Sequence, residues 1–357
     1  MIPDIDEFRS IVEDGEPTRT YSASDLTESG TAQANMDEIS DCLMEGPGVI
    51  VIKGAVAPDV VDAATEVFWQ LIDEQRQMGV GAGDHFAKAG ANDRVWNALE
   101  KMAVHSPEVF VDYYANPSIA LACRAWLGPG YQITSQLNVV NPGGEAQAPH
   151  RDYHLGFMDL DQAARFPRQA HLLSPVLTLQ GAIAHVDMPV ETGPTMFLPH
   201  SHKYEAGYLA WPLPEFKQYF ADHHVQLPLD KGDAVFFNPA LFHGAGTNRT
   251  AEVKRMANLL QIGSPMGRTL ETVDRERVVK AVYPALLERS DHPHIGAAIA
   301  AAAEGYPFPT NLDRDEPIDA IVPESQAEMV VRAVADRWSP EQLAKALAEM
   351  AHKKRSH

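Results

Sequence analysis

Residues 141–153 read NPGGEAQAPHRDY, a glycine-rich turn that leads into the tripeptide His150-Arg151-Asp152. On an extended segment, the side chains of residues i and i+2 point to the same face. His150 and Asp152 can therefore direct an imidazole and a carboxylate at one point, while Arg151 faces away. Two histidines and one carboxylate on a single face form a site for Fe(II) with open coordination positions. We predict that His243, in the downstream stretch FFNPALFHGAG, supplies the second histidine.

The pattern H-x-D alone is a weak signal, and a surface ion pair between His150 and Asp152 is the alternative interpretation. The residues around His243 favour the metal site. The stretch KGDAVFF at 231–237 has the form of a turn followed by a strand, and a loop at Asn238-Pro239 then leads to His243. Arg255 opens the next strand, where a buried guanidinium would be costly without an anionic partner. A small dicarboxylate that chelates iron at one end fits such a partner.

Composition limits the class of protein. The chain has 357 residues, 45% of them hydrophobic, and a formal net charge of −20. An acidic chain without a long basic run is a poor partner for nucleic acid. No apolar run reaches the roughly eighteen residues of a membrane span, and the acidic N-terminus has no apolar segment typical of a signal peptide. We therefore expect a cytoplasmic protein in which both cysteines, Cys42 and Cys123, are reduced and buried.

Apolar periodicity predicts a mainly β core with helical additions. Residues 1–34 are polar and indicate an N-terminal arm, residues 35–265 form a central domain, and the helical pattern of 266–357 predicts an extension packed on the core. Glycine-rich residues 79–95, which include His85, predict a mobile loop over a site. From about residue 131, strands follow one another without helices between them, which indicates an antiparallel barrel or jelly roll. The predicted strands are Tyr131–Val140, Val176–Val186, Met196–Leu198, Ala234–Phe237 and Arg255–Ile262.

Four motifs taken together resemble the phytanoyl-CoA dioxygenase family of Fe(II)/2-oxoglutarate-dependent oxygenases. They are PHRDYH, ETGPTMFLPHSHK, KGDAVFFNPALFHGAGTNRT and KRMANLLQIG. The resemblance covers residues 45–265 and implies an oxygenase domain with a cupin-like double-stranded β-helix, flanked by N- and C-terminal helices. It also implies Fe(II), 2-oxoglutarate and O₂ as cofactor and cosubstrates, with ascorbate as a candidate stimulant.

The resemblance further implies roles for individual residues. His150, Asp152 and His243 are the expected iron ligands and catalytic centre, and Arg255 is the expected clamp for 2-oxoglutarate. In the family, the clamp residue follows the second histidine at an offset that Lys254 occupies here, so Arg255 lies one residue further along the chain. Arg249 is the fallback candidate for the clamp. Polar residues of the strand before the metal turn, and a threonine after Gly193-Pro194, are expected to contact cosubstrate or substrate. These further candidates are Gln136, Asn138 and Thr195, with Tyr153 and His154 expected beside the substrate.

We expect an Fe(II)/2-oxoglutarate-dependent dioxygenase that hydroxylates a C–H bond of a small metabolite and converts 2-oxoglutarate to succinate and CO₂. The presence of Asp152 favours hydroxylation or another oxidation, such as desaturation, over halogenation, because related halogenating enzymes carry a small residue there. Two alternatives stay open at this point. One is a metal-dependent cupin isomerase or hydrolase that does not use 2-oxoglutarate, and the other is a non-catalytic protein with a relic site. The substrate is left open, as is the oligomeric state, with a homodimer as one option.

Overall fold

The computed structural model describes residues 1–12, 18–28, 30–79, 91–317 and 320–356. Most of the predicted loop at 79–95, including His85, lies outside these residues. Cys42 and Cys123 are buried free thiols, as predicted. None of the helices in the described ranges has the length and apolar composition of a membrane span. The strands are β1 (Arg19–Ser22), β2 (Val49–Lys53), β3 (Asn92–Val95), β4 (Gln132–Val140), β5 (Thr178–Ala184), β6 (Met196–Leu198), β7 (Val225–Gln226), β8 (Ala234–Phe237), β9 (Phe242–Gly244) and β10 (Arg255–Gly263).

Two sheets form the core of the described chain. The large sheet has the order β1-β2-β8-β5-β10-β4-β3, and the small sheet has the order β7-β6-β9. All neighbours pair antiparallel except β1 and β2, which are parallel. Phe197 of the small sheet packs against Phe237 of the large one with the ring centroids 4.9 Å apart. The predicted fold, a mainly β jelly-roll core with helical additions, is confirmed.

Strand β10 shows that one face of the large sheet lines a cavity and the other face packs against helices. It pairs with β4 on one side and with β5 on the other. Because side chains alternate along a strand, Arg255, Ala257, Leu259 and Gln261 line a cavity between the sheets. Met256, Leu260 and Ile262 point the other way and are buried under the helices. The sheet therefore separates a site-facing layer from a helical support.

Helices pack around both sheets of the described chain. They are α1 (Ile5–Val12), α2 (Ala23–Leu26), α3 (Ala32–Met44), α4 (Pro58–Gln77), α5 (Ala98–His105), α6 (Pro107–Tyr114), α7 (Pro117–Leu127), α8 (Leu160–Ala163), α9 (Arg168–Leu173), α10 (Gly207–Ala210), α11 (Pro214–His223), α12 (Arg275–Glu288), α13 (Ile295–Ala302), α14 (Gln326–Ala335) and α15 (Pro340–Lys353). Apolar residues of α3–α7 and α12–α15 share one hydrophobic cluster with the sheet. The N-terminus of α15 is stabilised by a capping box between Ser339 and Gln342.

The N-terminal segment differs from the loose arm that its polar composition predicts. Strand β1 adds to the edge of the large sheet through its parallel pairing with β2. Phe8 of α1 is fully buried and stacks on Phe242 with the ring centroids 5.1 Å apart. A single buried aromatic ring and four residues of strand outweigh the polar composition here. The division of the chain into three parts stays a prediction.

Candidate active site

The three predicted metal ligands lie together. One donor atom from each of His150, Asp152 and His243 falls within 4.8 Å of the other two. The Asp152 carboxylate stands between the rings, with Oδ1 3.6 Å from His150 Nε2 and Oδ2 3.4 Å from His243 Nε2. His243 lies on β9, and His150 pairs with it as an antiparallel bridge. A surface ion pair does not describe this group, because the carboxylate faces both rings and His243 is only 5% exposed.

Backbone carbonyls set the tautomer of both imidazoles. Nδ1 of His150 lies 2.9 Å from the carbonyl oxygen of Ala148. Nδ1 of His243 lies 2.9 Å from the carbonyl oxygen of Leu241. Because a carbonyl only accepts hydrogen bonds, each Nδ1 carries the hydrogen and donates it. Each Nε2 then presents a lone pair towards Asp152, as a metal ligand must. Burial lowers the pKa of His150, which favours the neutral ring.

Asp152 is held as a carboxylate. Burial by itself raises its pKa, but the neighbouring His150 and His243 and a hydrogen bond from Gln180 outweigh burial and keep the pKa below its usual range. The Gln180 amide on β5 donates to Oδ2 of Asp152. The Tyr208 hydroxyl donates to the Asp152 backbone carbonyl at 3.2 Å. Both the charge and the position of this ligand are therefore supported by its surroundings.

Arg151 faces away from the ligands, as the alternation predicts, and is itself buried. Its guanidinium donates to the backbone carbonyls of Ser201 and Tyr204 at 2.6 and 2.9 Å. It also lies over the rings of Tyr208 and Phe242, 5.1 and 5.3 Å from their centroids. The segment between the two ligands is thus anchored to the 201–208 segment. This anchoring holds the backbone of His150 and Asp152 from behind.

Arg255 lies in the wall of the same cavity, which has a volume of about 830 Å³. Its guanidinium is 6% exposed and donates at 3.3 Å to the carbonyls of Thr192 and Gly246. No carboxylate of the described residues forms an ion pair with it, and burial lowers its pKa to about 10. A buried cation of this kind is stabilised by an anionic ligand. Arg249 is exposed and does not line the cavity, which disfavours the fallback.

The remaining predicted residues fall into two groups. Gln136, Asn138 and Thr195 all line the cavity. Tyr153 and His154 do not, so the expectation that they face the substrate is not supported by the structure. The backbone turns sharply after Asp152, with φ of 65° at Tyr153 and 42° at His154. His154 Nδ1 instead lies 3.1 Å from the hydroxyl of Ser174.

Sequence reasoning missed several polar residues of this cavity, among them Gln180, Arg94 and Glu271. Gln180 contacts Asp152, while Arg94 and Glu271 line the wall near Gln136. Gln180 stood out in the sequence as a single polar side chain within the apolar strand TLQGAIA. Arg94 and Glu271 gave no local signal, because each is an ordinary charged residue in a polar stretch. Only the packing of β3 and the segment after β10 brings them to the cavity.

The donor set fits ferrous iron. Two imidazole nitrogens and one carboxylate suit an ion of borderline softness, and a single face of ligands leaves positions for other molecules. Both rings already present Nε2, and the carboxylate is ionised, so the residues need no proton rearrangement to bind a cation. The fold and this donor set are those of a non-haem iron oxygenase built on a jelly roll.

The sequence is similar to those of known dioxygenases. The sequence model of the phytanoyl-CoA dioxygenase (PhyH) family matches residues 44–257. Dioxygenase trt7 of Aspergillus terreus is 28% identical over 217 residues, which cover 60% of this chain and 68% of that protein. The peroxisomal phytanoyl-CoA dioxygenase of Rattus norvegicus is 26% identical over 227 residues, covering 58% and 62%. Among solved structures, the non-heme alpha-ketoglutarate-dependent carbocyclase SnoK from nogalamycin biosynthesis is 18% identical, with a TM-score of 0.46 over 68% of this chain and 86% of that one.

This chain belongs to the phytanoyl-CoA dioxygenase family, since the family match spans more than half of it. It is accordingly a 2-oxoglutarate-dependent non-haem iron dioxygenase, with Fe(II) and 2-oxoglutarate as its cofactor and cosubstrate. The alternatives of a cupin isomerase or hydrolase without 2-oxoglutarate, and of a relic binding protein, are not favoured.

Proposed function

We propose that this enzyme hydroxylates a C–H bond of a small, largely apolar metabolite, with His150, Asp152 and His243 as iron ligands. The observation that carries the proposal is that these ligands and Arg255 line one cavity, in which Arg255 has no carboxylate partner among the described residues. A volume of about 830 Å³ lies within the range of roughly 300–1,000 Å³ typical of small-molecule sites. There is thus room for a substrate beside the cosubstrate.

Each residue has a defined task in this proposal. His150 and His243 offer Nε2 to the iron, and Asp152 contributes the negative charge that Gln180 orients. Arg255 receives the far carboxylate of 2-oxoglutarate through its guanidinium fork, with Thr195 and Asn138 as further predicted contacts. When bound, iron together with 2-oxoglutarate and O₂ supplies the oxidising chemistry.

Part of the cavity wall is apolar, and this part bears on the substrate class. Trp96, Phe157, Trp211, Leu227 and Leu229 all line it. Apolar walls with a few polar groups are typical of sites that bind an apolar body and orient it by hydrogen bonds. We therefore favour a neutral, mostly hydrocarbon metabolite over a highly charged one. The cytoplasmic location, a homodimeric state and stimulation by ascorbate stay predictions from the sequence.

The test is the release of succinate from 2-oxoglutarate with Fe(II) and O₂. We expect wild-type enzyme to release succinate, and the variants His150→Ala and Asp152→Ala to lose both the reaction and bound iron. His352→Ala, which changes an exposed histidine on α15, is the matched control and should keep both. Equal turnover in wild type and in the two ligand variants would overturn the assignment.

A further inference from the structure

One end of the cavity is built from residues that the family match does not fully include. Arg94 on β3 and Gln136 on β4 line it, together with Leu270 and Glu271 from the segment after β10. Leu270 and Glu271 lie beyond residues 44–257, which the family model covers. The chemistry shared by the family therefore does not account for Glu271. A residue of this kind is a candidate for the selection of the substrate.

Glu271 is held by one oxygen and leaves the other free. Oε1 accepts a hydrogen bond from the Asn97 backbone N–H at 2.7 Å. Oε2 is buried and has no hydrogen-bond partner among the described residues. Burial raises the pKa of Glu271, while the Asn97 N–H, Lys101, Gln136 and Arg94 act in the opposite direction. The carboxylate thus already lies among positively charged groups.

Gln136 shows the complementary arrangement. Its Oε1 accepts a hydrogen bond from the Arg94 guanidinium at 2.8 Å, which fixes the orientation of the amide. Its Nε2 is buried and has no hydrogen bond of acceptable geometry within the described chain, although the amide lies beside Glu271. The Gln136 amide and the Glu271 carboxylate therefore lie side by side in the cavity wall and interact, but they do not form a well-shaped hydrogen bond with each other. Buried polar groups are nearly always satisfied, so this pair indicates a place for a ligand.

The choice of ligand group follows from the hydrogen-bonding capacity of the pair. A hydroxyl both donates and accepts, so one hydroxyl can donate to Glu271 Oε2 and accept from Gln136 Nε2. A ketone oxygen accepts only and would leave the carboxylate oxygen unsatisfied. An ammonium group donates only, and would also meet the positive charges of Arg94 and Lys101. A neutral hydroxyl is the group that satisfies both residues.

We propose that Glu271 and Gln136 form a specificity subsite that binds a hydroxyl group on the apolar body of the substrate. This inference rests on the proposed function in taking the cavity as the substrate site, and it places Gln136 with the substrate rather than with 2-oxoglutarate. The apolar body lies against Trp96, Phe157 and Leu270. Phe157 and Leu270 are 54% and 39% exposed, so they form the open side of this end.

Three ring compounds of one hydrocarbon frame test the subsite: cyclododecanol, cyclododecanone and cyclododecylamine. Binding to the enzyme loaded with Fe(II) and 2-oxoglutarate under argon is followed by tryptophan fluorescence, because Trp96 and Trp211 line the cavity. We expect wild-type enzyme to bind the alcohol about tenfold more tightly than the ketone or the amine, since only the alcohol satisfies both groups. Equal affinities, or no saturable response to any of the three, would overturn the inference.

The variant Glu271→Gln replaces a hydrogen-bond acceptor with a donor and changes the side-chain volume little. Its carbonyl oxygen can still accept from the Asn97 N–H, so its NH₂ group takes the place of Oε2 beside the Gln136 amide. Two donors then face the ligand, and we expect the preference to shift at least tenfold towards cyclododecanone. Glu288→Gln, at an exposed glutamate of α12, is the matched control and should keep the wild-type ratio. An unchanged ratio in Glu271→Gln would contradict the proposal.

The proposed function is tested separately in the same samples. Titration of the iron-loaded wild-type enzyme with 2-oxoglutarate measures cosubstrate binding without any ring compound. Failure of that titration counts against the proposed function. Normal 2-oxoglutarate binding without discrimination between alcohol and ketone counts against the Glu271 subsite alone.

Discussion

His150 and His243 face each other as a hydrogen-bonded antiparallel pair. The N–H of each donates to the carbonyl of the other, at 2.9 and 3.1 Å, and the two rings have centroids 4.5 Å apart. Directly opposed residues on antiparallel strands project to the same side. The separation of the two imidazoles is therefore set by backbone pairing and not by the conformation of a free loop. A slip of one residue in this pairing would turn His150 away from His243.

The first prediction concerns the amide that orients Asp152. Gln180→Leu removes the hydrogen bond to Oδ2 while nearly preserving the volume of the side chain. Loss of such an outer partner typically weakens metal binding, and we expect iron affinity to fall roughly 10- to 100-fold. Anaerobic titration with Fe(II) measures this. Gln261→Leu is the control, because Gln261 lies 3.5 Å from Gln180 and makes no hydrogen bond with Asp152. Equal losses in both variants would show that Gln180 has no special role.

The second prediction separates stability from cosubstrate binding at Arg255. Arg255→Met replaces a buried guanidinium, which has no carboxylate partner among the described residues, with an apolar chain of similar length. We expect the Tm without ligand to hold or rise, because the cost of burying the charge disappears. The increase in Tm that 2-oxoglutarate gives the wild type should be absent, because the clamp is lost.

Thermal unfolding with and without 2-oxoglutarate, followed by calorimetric titration, checks this prediction. Arg249→Met changes an exposed arginine and should respond to 2-oxoglutarate as the wild type does. Normal affinity for 2-oxoglutarate in Arg255→Met would show that Arg255 is not the residue that binds its far carboxylate.

The third prediction concerns the support behind the ligands. A Cβ placed on Gly207 would lie 1.8 Å from Cζ of Arg151, so Gly207→Ala forces the guanidinium to move. We expect a loss of about 1–3 kcal/mol in the free energy of unfolding, as for other overpacked sites. Iron affinity should fall as well, since Arg151 stands between His150 and Asp152 in the chain.

Urea denaturation and Fe(II) titration measure the two effects. Gly296→Ala is the matched control, because α13 has open space at Gly296. That change should leave the stability unchanged or raise it by less than the roughly 0.5–1 kcal/mol typical of a helix interior, because Gly296 is the second residue of α13. A Gly207→Ala protein as stable as the wild type would refute the anchoring role of Arg151.

The fourth prediction concerns acid stability and His185. Its Nδ1 lies 2.7 Å from the Thr65 hydroxyl and its Nε2 lies 3.0 Å from the Tyr113 hydroxyl. Burial lowers the pKa of His185 to about 3 in the folded protein. The unfolded chain, with a histidine pKa of about 6.5, therefore binds a proton that the folded protein does not. The stabilising contribution of the neutral ring is complete above about pH 6.5 and declines as the pH falls towards 3.

The slope of stability against pH checks this. Between pH 6.5 and 5 the contribution of His185 should fall by roughly 2 kcal/mol, and His185→Gln should remove that part of the slope. The measurement is urea unfolding at several pH values, with His352→Gln, an exposed histidine on α15, as the comparison. An identical acid slope in wild type and His185→Gln would contradict the prediction.

Several parts of the fold were accessible from local patterns. The predicted strands at 196–198 and 234–237 have the bounds observed for β6 and β8, and the helical pattern predicted for 266–357 corresponds to α12, α13, α14 and α15. Alternation and helical spacing are properties of short segments, so they can be read without the rest of the chain. Strands β1, β3, β7 and β9 were missed because their partners, rather than their composition, hold them in place.

The candidate site shows the same division. The sequence alone determined which residues could serve as ligands, because imidazole, carboxylate and guanidinium chemistry and the i, i+2 spacing of His150 and Asp152 are local. Only the tertiary structure decided that His243 pairs with His150, that Gln180 reaches Asp152, and that Glu271 lies beside Gln136. Each of these contacts joins segments far apart in the chain. Their distances follow from the register of the sheet and the packing of the segment after β10, which no single stretch of sequence encodes.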